Sequence, residues 1–440
     1  MYFLYRILTA IAMLLLAPYY VFRAWRRGEP ARRLMERLGS PPAELVSRAK
    51  AGCGTIWIHA VSVGEVLAAK PLSDQLKRRF LERTVLVSTT TETGQHLARE
   101  RLDSVDGIFY FPLDWSVAVR RALRAVRPAL VIVMETEIWP NFLREARREH
   151  VPVIFLNARI SEKSFARYKR WEFLVGPFFA RVLPDAELFL AQTPDDAARL
   201  RYMGAPNGRV EVTGNLKYDS DQPAMSRFGS WLEAESERQE RWPVVVAGSV
   251  VADEVESVLA AYDIVQRRWR RALLILAPRK PDCFDRAAST AAAGGWNVVR
   301  RSQINFDAPL SENVDVLALD TIGELAGLYS LADAVFVGGS LVPSGGHNIL
   351  EPAWFSKPPV FGASMENFRD MAAQFLKAHA AVQVTSGQQL GKVWVQLIED
   401  RELRERMGRA ARELSERNRG ATARSLEHIA GLLDRTEPSA

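Results

Sequence analysis

Residues 56–66, IWIHAVSVGEV, predict a buried β-strand that passes through a short polar loop into a helix. Similar apolar runs recur through the first half of the chain, at 84–88, 107–111, 130–134, 151–156, 188–191 and 210–213. Nearly continuous runs of Val, Ile and Leu indicate strands buried on both faces, as in a parallel sheet covered by helices. Segments such as 65–80 and 92–102 suit the crossover helices between such strands. The first half is therefore predicted to be a doubly wound α/β domain.

The same alternation restarts after a polar interruption that contains DSDQP and EAESERQERWP. Further strands are predicted at 244–247, 273–277, 296–299, 314–317, 334–337 and 359–361, and helices over the end of the chain. We predict four segments, which are an anchor with a basic juxtamembrane stretch (1–38), a Rossmann-like domain (39–220), a linker (221–243) and a second Rossmann-like domain (244–440). Ligands of such sheets bind beyond the carboxyl ends of the strands, so two facing domains predict a cleft for two substrates.

The composition limits the class of protein. A chain of 440 residues with 48% hydrophobic and 25% charged residues fits two globular domains and excludes a disordered, collagenous or polytopic membrane chain. The two cysteines, Cys53 and Cys283, lie in separate halves, which excludes a disulfide framework or a zinc cluster and suits a reducing compartment. A net charge of +6 indicates anionic partners.

An apolar segment opens the chain. Residues 2–22 are mostly apolar and have about the length that crosses a bilayer core of roughly 30 Å. Six arginines follow between Arg23 and Arg37, and positive flanks stay on the cytoplasmic side, so the order predicts a membrane anchor with the rest of the chain inside. A helix lying in the interface, with Trp25 at headgroup level, is the competing prediction. A cleaved signal peptide is disfavoured because the basic cluster follows the apolar run.

Polar residues follow several predicted strands of the first domain. Glu65 lies in the first turn of a helix, where its carboxylate can remove a proton from a hydroxyl or simply interact with the helix dipole. Glu135 and Glu137 directly follow an apolar strand, which favours a functional cleft, although a capped helix with Trp139 packed on the sheet gives the same pattern. Lys217 follows the last strand and suits the charge of a leaving phosphate, but a lone lysine is more often solvated.

Small residues and cations follow strands of the second domain. Residues 247–249 (AGS) end one strand, and Arg279 and Lys280 follow the next, which suits a nucleotide phosphate. The turn at 338–353, GGSLVPSGGHNILEPA, permits close backbone approach to a phosphate and leads into a helix N-terminus. Glu351 within it suits ribose hydroxyls. The lack of a Walker lysine loop and of GxGxxG disfavours an ATPase or a dehydrogenase.

The motifs HAVSVGEV, METEIWPN, NARIS, GNLKYD and GGSLVPSGGHNILEPA resemble those of the 3-deoxy-D-manno-octulosonic acid (Kdo) transferases of lipopolysaccharide assembly, in order and up to at least Asp370. The resemblance implies a GT-B fold, CMP-Kdo as donor, a lipid A precursor as acceptor, and an inverting transfer without a metal or further cofactor. It also implies an N-terminal anchor in the bacterial inner membrane, catalytic domains on the cytoplasmic side, an acceptor site in the first domain and a CMP site in the second.

The resemblance further implies roles for individual residues. Glu65 of SVGE is expected to be the general base, and Glu135 of METE and Lys217 of GNLKYD to stabilise the transition state. Residues 320–325 by themselves predict only a capped helix start. With the resemblance, CMP contacts are expected from Pro278, Arg279, Gly323, Glu324, Leu325, Asn348, Ile349, Leu350 and Glu351. Many members have Arg-His-Pro where this sequence has Arg279-Lys280-Pro281, so the role of Lys280 stays open.

Two other functions remain open from the sequence. A GT-B enzyme with a UDP donor, such as a lipid-A-disaccharide synthase-like transferase or a nucleotide-sugar epimerase, has the same domain pattern. A membrane-tethered nucleotide-binding protein without catalysis has it too. Nucleic-acid binding is disfavoured, because the basic residues cluster at the anchor, where contact with anionic lipids is expected, and lack interleaved aromatics.

Overall fold

The computed structural model describes residues 2, 5–13, 15, 26, 31–219 and 222–436. Its contacts divide the chain into a first unit, Met1–Ser220 with Asn418–Ala440, and a second unit, Asp221–Arg417. This division differs from the predicted segments in two places. The predicted linker contains a helix, Arg227–Arg238, that belongs to the second unit, and residues 418–440 belong to the first. Apolar residues of the C-terminal helix explain the latter, since Ala421, Leu426 and Ile429 join a core of the first unit.

Within the described residues, the first unit holds a seven-stranded sheet in the order β3-β2-β1-β4-β5-β6-β7. Its strands are β1 Thr55–His59, β2 Thr84–Thr89, β3 Gly107–Tyr110, β4 Pro128–Met134, β5 Val153–Ala158, β6 Leu188–Ala191 and β7 Val210–Val212. Helices, numbered from residue 31 onward, are α1 Ala31–Arg37, α2 Ala43–Ala51, α3 Val63–Arg79, α4 Glu92–Arg101, α5 Ser116–Val126, α6 Pro140–Arg148, α7 Glu162–Arg170, α8 Glu172–Val182 and α9 Pro194–Tyr202. Residues 2, 5–13 and 15 are also helical, and we call them the N-terminal helix.

The strands of this sheet are parallel and covered on both faces, as predicted. Side chains alternate along β1, so that Trp57 enters one core cluster while Ile56 and Ile58 enter another. Both clusters take residues from β2, β4 and β5 in the same way. Burial on both faces is the reason that these strands are nearly continuous apolar runs in the sequence.

The second unit repeats this plan, with parallel strands in the order β10-β11-β9-β8-β12-β13-β14. The strands are β8 Val244–Val250, β9 Leu273–Pro278, β10 Val298–Arg300, β11 Val316–Ala318, β12 Ala334–Val337, β13 Val360–Phe361 and β14 Val382–Gln383. The helices are α10 Arg227–Arg238, α11 Val255–Arg268, α12 Phe284–Ala293, α13 Leu325–Leu328, α14 Leu350–Trp354, α15 Arg369–Lys377, α16 Gly387–Glu399 and α17 Arg401–Arg417. The chain then returns to the first unit as α18, Ala421–Thr436.

The strand order reverses between β1 and β4 in the first sheet and between β8 and β12 in the second. Ligands of doubly wound sheets bind at this switch point, beyond the carboxyl ends of the strands. Glu65 follows β1 and Glu135 follows β4, so the topology brings both to the switch point of the first unit. Gly248 and Gly338 have the corresponding positions in the second unit.

Among the described residues, no helix combines the length and the apolar character needed to cross a bilayer. Of the predicted anchor, residues 2, 5–13 and 15 are described. The remainder of segment 2–22, and Trp25 with it, lies outside the described residues.

Candidate functional site

Glu65 is fixed by the start of helix α3. Ser62 caps this helix, and its Oγ accepts a hydrogen bond from the Glu65 N–H at 3.3 Å. In return the Ser62 hydroxyl donates to Glu65 Oε1 at 2.7 Å, and the Val61 N–H donates to Oε2 at 2.8 Å. This arrangement is a variant of the capping box, in which Ser and Glu three residues apart satisfy each other's groups. The structural interpretation of Glu65, as a residue that stabilises a helix start, is therefore confirmed, and its chemical role stays a prediction.

Burial dominates the ionisation of Glu65. It raises the pKa of this carboxyl to about 7, while the hydrogen bonds from Val61 and Ser62 oppose the shift. The negative charges of Glu135 and Glu137 raise the pKa further, so these carboxylates lie near Glu65. A general base works best with a pKa near the operating pH, and Glu65 meets that condition at neutral pH.

Glu135 and Lys217 meet at the same edge of the sheet. Glu135 leaves β4 with a left-handed backbone, φ 55°, and its N–H donates to the Leu156 carbonyl at 2.8 Å. The Lys217 Nζ lies 3.8 Å from Glu135 Oε1. Asn157, at the end of β5, accepts the N–H of Leu216 at 3.0 Å and so holds the turn that carries Lys217. The structure thus brings together the three residues for which the sequence predicts catalytic roles.

The C-terminal helix supports this turn, which the sequence analysis did not predict. Asp219 accepts hydrogen bonds from the N–H groups of Gly420 at 2.6 Å and Thr422 at 2.5 Å, at the start of α18. Arg424 Nε donates to the Thr213 carbonyl at 2.8 Å. The Lys217 turn is therefore clamped by the last helix of the chain, across more than 200 residues of sequence.

Two aromatic neighbours of the site are structural. The His59 ring, at the end of β1, is buried and stacks on Phe111 with 3.7 Å between ring centroids. Burial lowers the pKa of His59 to about 3, so the ring is neutral at physiological pH. Trp139 also packs near Phe111, with 6.1 Å between ring centroids, as the structural interpretation of METEIWPN predicts.

Glu137 is the second carboxylate of this motif. Burial raises its pKa, and the charge of Glu135 adds to the shift.

In the second unit, a buried glutamate that the sequence analysis did not identify organises the glycine-rich turn. Glu254 accepts hydrogen bonds from four backbone N–H groups, those of Val251 (3.2 Å), Gly339 (2.6 Å), Ser340 (2.7 Å) and Leu341 (2.7 Å). The sequence predicts that this turn approaches a phosphate closely. The N–H groups of 339–341 instead donate to the protein's own carboxylate, so a phosphate must be bound by other groups.

Two glycines of this unit, Gly248 and Gly339, are required by close packing. A Cβ atom on Gly248 would lie 1.9 Å from the Tyr329 hydroxyl. Gly339 has φ 67°, and a Cβ there would lie 2.4 Å from the His347 ring. His347 Nδ1 is in turn 2.7 Å from the Gly338 carbonyl oxygen, and burial lowers the pKa of this ring. The glycines therefore permit contacts within the turn itself.

Four of the predicted nucleotide contacts lie around one carboxylate. Asn348 Nδ2 donates to Glu351 Oε1 at 3.4 Å, and Asn348 Oδ1 accepts the N–H of Leu350 at 3.2 Å. Burial raises the pKa of Glu351 to about 7, while Asn348 and the charge of Arg279 oppose the shift. Arg279 itself is exposed after β9, and so is Lys280. This edge of the second unit therefore offers a cation and a polar pair to a ligand.

The other predicted contacts differ among themselves. Gly323 is exposed in a left-handed turn, φ 91°. The Glu324 carboxylate is engaged by Arg301 Nη2 at 3.0 Å and by the Thr321 hydroxyl, which gives it a structural role. Leu325, the first residue of α13, packs near Gly248. Three residues have buried side chains and leave only backbone groups for a ligand, namely Pro278, Ile349 and Leu350.

Comparisons with known proteins identify similar sequences. Residues 32–220 match the family model of the 3-deoxy-D-manno-octulosonic-acid transferases (kdotransferase). The 3-deoxy-D-manno-octulosonic acid transferase of Bordetella pertussis is 33% identical over 429 residues, which cover 94% of this chain and 96% of the relative. The enzyme of the same name from Haemophilus influenzae is 32% identical over 387 residues, or 86% and 87% of the two chains.

Similarity of fold extends further than similarity of sequence. The crystal structure of UDP-GlcNAc 2-epimerase from Neisseria meningitidis, bound to UDP-GlcNAc, matches with a TM-score of 0.55 at 14% identity. The match covers 86% of this chain and 100% of the epimerase. MurG from Acinetobacter baumannii matches with a TM-score of 0.53 at 16% identity, over 86% of this chain and 99% of its own. These two likenesses concern the fold alone.

Proposed function

The chain belongs to the Kdo transferase family of glycosyltransferases, and from this membership we propose that it transfers Kdo from CMP-Kdo to a lipid A precursor in lipopolysaccharide biosynthesis. One observation in the structure carries the proposal for the mechanism. Glu65, Glu135 and Lys217, which come from three separate motifs of the family, lie together at the switch point of the first sheet.

Glu65 is the proposed general base. The acceptor hydroxyl oxygen forms a bond to the anomeric carbon of Kdo, and its proton passes to the Glu65 carboxylate. With a pKa of about 7, this carboxyl is deprotonated in a large fraction of molecules at neutral pH and takes up a proton readily. A single displacement from the face opposite the leaving phosphate inverts the anomeric configuration, and this is the stereochemistry we propose.

Charge development gives Glu135 and Lys217 their proposed roles. As the bond between the anomeric carbon and the CMP phosphate oxygen breaks, the sugar becomes cationic and the phosphate gains negative charge. Glu135 can stabilise the cationic sugar, and Lys217 the departing phosphate. Groups that act on charge present only in the transition state raise the rate more than the affinity. No metal and no cofactor other than the sugar nucleotide is required in this proposal.

The CMP moiety is proposed to bind at the switch point of the second sheet. Arg279 supplies a cation for the donor phosphate, and Asn348 with Glu351 offers acceptors and a donor to ribose hydroxyls. Gly323 to Leu325 and the backbone of residues 349 and 350 are the further proposed contacts. Lys280 is exposed beside Arg279 and adds positive charge there.

We also propose that the enzyme acts at the bacterial inner membrane on the cytoplasmic side. The acceptor is a lipid, and the chain begins with an apolar segment followed by arginines, which suits attachment to an anionic membrane. Attachment places the enzyme where its acceptor resides.

Mass spectrometry tests the reaction directly. Purified protein is incubated with CMP-Kdo and the tetra-acylated lipid A precursor, with and without EDTA, and the products are weighed. We expect a mass increase by one or more whole Kdo residues, release of CMP, and equal yield in EDTA. Thermal melting with CMP or UDP is the companion measurement. Stabilisation by UDP and not by CMP, with no Kdo on the lipid, would contradict the proposal and favour a UDP-dependent enzyme.

A further inference from the structure

The N-terminal helix is held against the first unit by the polar side chains of one face. Residues 2, 5 and 9 are spaced three and four apart, so they share a face of the helix. Hydrogen bonds join the Tyr2 hydroxyl to Asp185 Oδ2 (2.7 Å), the Tyr5 hydroxyl to Asp114 Oδ2 (2.8 Å) and Asn141 Nδ2 to Thr9 Oγ1 (3.2 Å). The start of the chain is thus attached to the folded domain at several points.

Another face of this helix is apolar and exposed. Leu8, Ile11 and Leu15 follow each other at intervals of three and four residues and are each about half exposed or more, with Leu15 at 70%. A row of large apolar side chains that faces away from its own domain marks a surface that contacts something else.

Helix α8 lies beside the N-terminal helix. Its Phe178 contacts the rings of Tyr2 and Tyr5, with 6.1 Å and 5.5 Å between ring centroids. Leu174 lies one turn before Phe178 on the same side of α8 and is exposed. Phe173 is 75% exposed. The two helices therefore present neighbouring apolar groups.

Exposed cations and an exposed tryptophan adjoin these apolar groups. Lys163, Arg167 and Arg170 are exposed on α7, directly before α8. Trp171, between the two helices, is half exposed. Apolar side chains bordered by Lys or Arg, with Trp at the boundary, are typical of helices that lie in the headgroup region of an anionic membrane. A protein partner would not require this combination.

We infer that the N-terminal helix and α8 form one lipid-facing surface, and that the N-terminal helix lies in the plane of an anionic bilayer. This surface consists of Leu8, Ile11, Leu15, Trp171, Phe173 and Leu174. A helix that spans the membrane from residue 2 onward would carry its first residues to the far side, roughly 30 Å away. The hydrogen bonds of Tyr2 and Tyr5 keep those residues at the catalytic unit instead.

Depth measurements distinguish a helix in the membrane plane from a spanning one. Spin labels are attached singly at Leu8→Cys, Ile11→Cys and Leu15→Cys in the full chain with Cys53→Ser and Cys283→Ser, bound to vesicles of phosphatidylglycerol and phosphatidylethanolamine. We expect all three labels at similar depth, about 5–10 Å below the headgroups. A spanning helix rises 1.5 Å per residue, so labels at 8 and 15 would differ by about 10 Å in depth. That result would overturn the inference.

Vesicle flotation tests the part played by α8. The double variant Phe173→Ser/Leu174→Ser is compared with Leu81→Ser, which changes a 76% exposed leucine in the turn after α3. We expect the double variant to partition about tenfold or more less onto anionic vesicles, and Leu81→Ser to behave like the parent protein. Equal partition of the double variant would overturn the inference. So would a loss of self-association in the double variant without a loss of vesicle binding, because the surface would then bind a second copy.

The two proposals fail separately. Vesicle binding is measured without donor, and transfer is measured on acceptor dispersed in detergent. The double variant should retain parental transfer in detergent, since the lipid-facing surface is distinct from Glu65, Glu135 and Lys217. Loss of Kdo transfer in the parent protein would contradict the proposed function alone.

Discussion

Each unit places one buried glutamate after its first strand, and the chain uses the two carboxylates in different ways. Glu65 follows β1 and accepts hydrogen bonds from one backbone N–H and one hydroxyl. Glu254 follows β8 and accepts hydrogen bonds from four backbone N–H groups. Both accept the N–H of a valine in the preceding loop, Val61 or Val251. The remaining donors make the difference.

The two carboxylates differ in the number of hydrogen-bond donors that they accept from. Four N–H groups donate to the oxygens of Glu254. Three of them belong to residues 339–341, so the carboxylate holds this turn in place. Two donors do not offset the burial of Glu65, and its pKa rises to about 7. The same position in two similar folds thus holds the proposed base, with a raised pKa, in one unit and a carboxylate that fixes a turn in the other.

The largest effect is expected from Glu65→Gln, which tests Glu65 as the proposed general base. Glu65→Gln keeps the size of the side chain and removes its basicity, so we expect kcat to fall about 10²–10⁴-fold. CMP affinity, measured by calorimetry, should be unchanged. The matched control is Glu92→Gln, an exposed glutamate in the first turn of the next helix, which should keep parental kcat. Full activity of Glu65→Gln would disprove the assigned base.

The second prediction concerns Lys217, whose positive charge is expected to affect both kcat and the pKa of Glu65. Lys217→Met should lower kcat about 10²-fold, because a cation that stabilises the leaving phosphate is lost. It also leaves Glu135 without the cation 3.8 Å away, and the less compensated charge should raise the pKa of Glu65 further. The acidic limb of the kcat/KM profile should therefore move to higher pH. Lys217→Arg should restore part of kcat and move the acidic limb part of the way back to its parental pH. If the acidic limb of Lys217→Met stays at the parental pH, an effect of Lys217 on the pKa of Glu65 is contradicted.

Glu254→Gln tests the structural member. An amide leaves buried N–H groups without their acceptor, so we expect a loss of about 2 kcal/mol in the free energy of unfolding and weaker CMP binding. Denaturant unfolding and calorimetry measure the two quantities. The control is Asp253→Asn, a neighbouring carboxylate whose side chain is 77% exposed, and it should change neither. A variant of Glu254 that loses turnover but keeps stability and CMP affinity would place Glu254 among the reacting groups.

The smallest expected effect is a pH dependence. Glu65 must be deprotonated to accept a proton, and its pKa is raised to about 7, so activity should increase with pH through this value. Between pH 6 and pH 8 the deprotonated fraction rises about tenfold, and kcat/KM should rise by the same factor. Residual activity of Glu65→Gln should lack this limb. A flat profile in the parent protein would show that Glu65 is already ionised at pH 6.

Much of the fold was predictable because strands buried on both faces appear in the sequence as nearly continuous apolar runs. The run predicted at 130–134 is the end of β4, Pro128–Met134, and the one at 244–247 begins β8, Val244–Val250. The two-residue strand β14 was not predicted, since so short an edge strand carries no apolar run. The linker predicted at 221–243 contains helix α10, Arg227–Arg238. This helix was not predicted because its residues are mostly polar and only one side of it is buried.

The sequence predicted which residues belong to the candidate site but not the contacts that hold them together. Glu65, Glu135 and Lys217 could be named from motifs, but the contact of Lys217 with Glu135 depends on a turn held by Asn157 and by Asp219. Asn157 and Asp219 lie in the motifs NARIS and GNLKYD, but the motifs do not show their partners, which are backbone groups far along the chain. Glu254 was missed for the same reason.

The sequence alone determined the two parallel α/β units, the order of their polar loops and the membership of the family, because burial and motif spacing are local properties. Only the tertiary structure decided which donors each of the two buried carboxylates accepts hydrogen bonds from. Three of the four donors to Glu254 come from a turn 85 and more residues away, whereas those of Glu65 lie within four residues of it. Hydrogen bonds across such distances exist only after the chain has folded, so no local property of the sequence shows them.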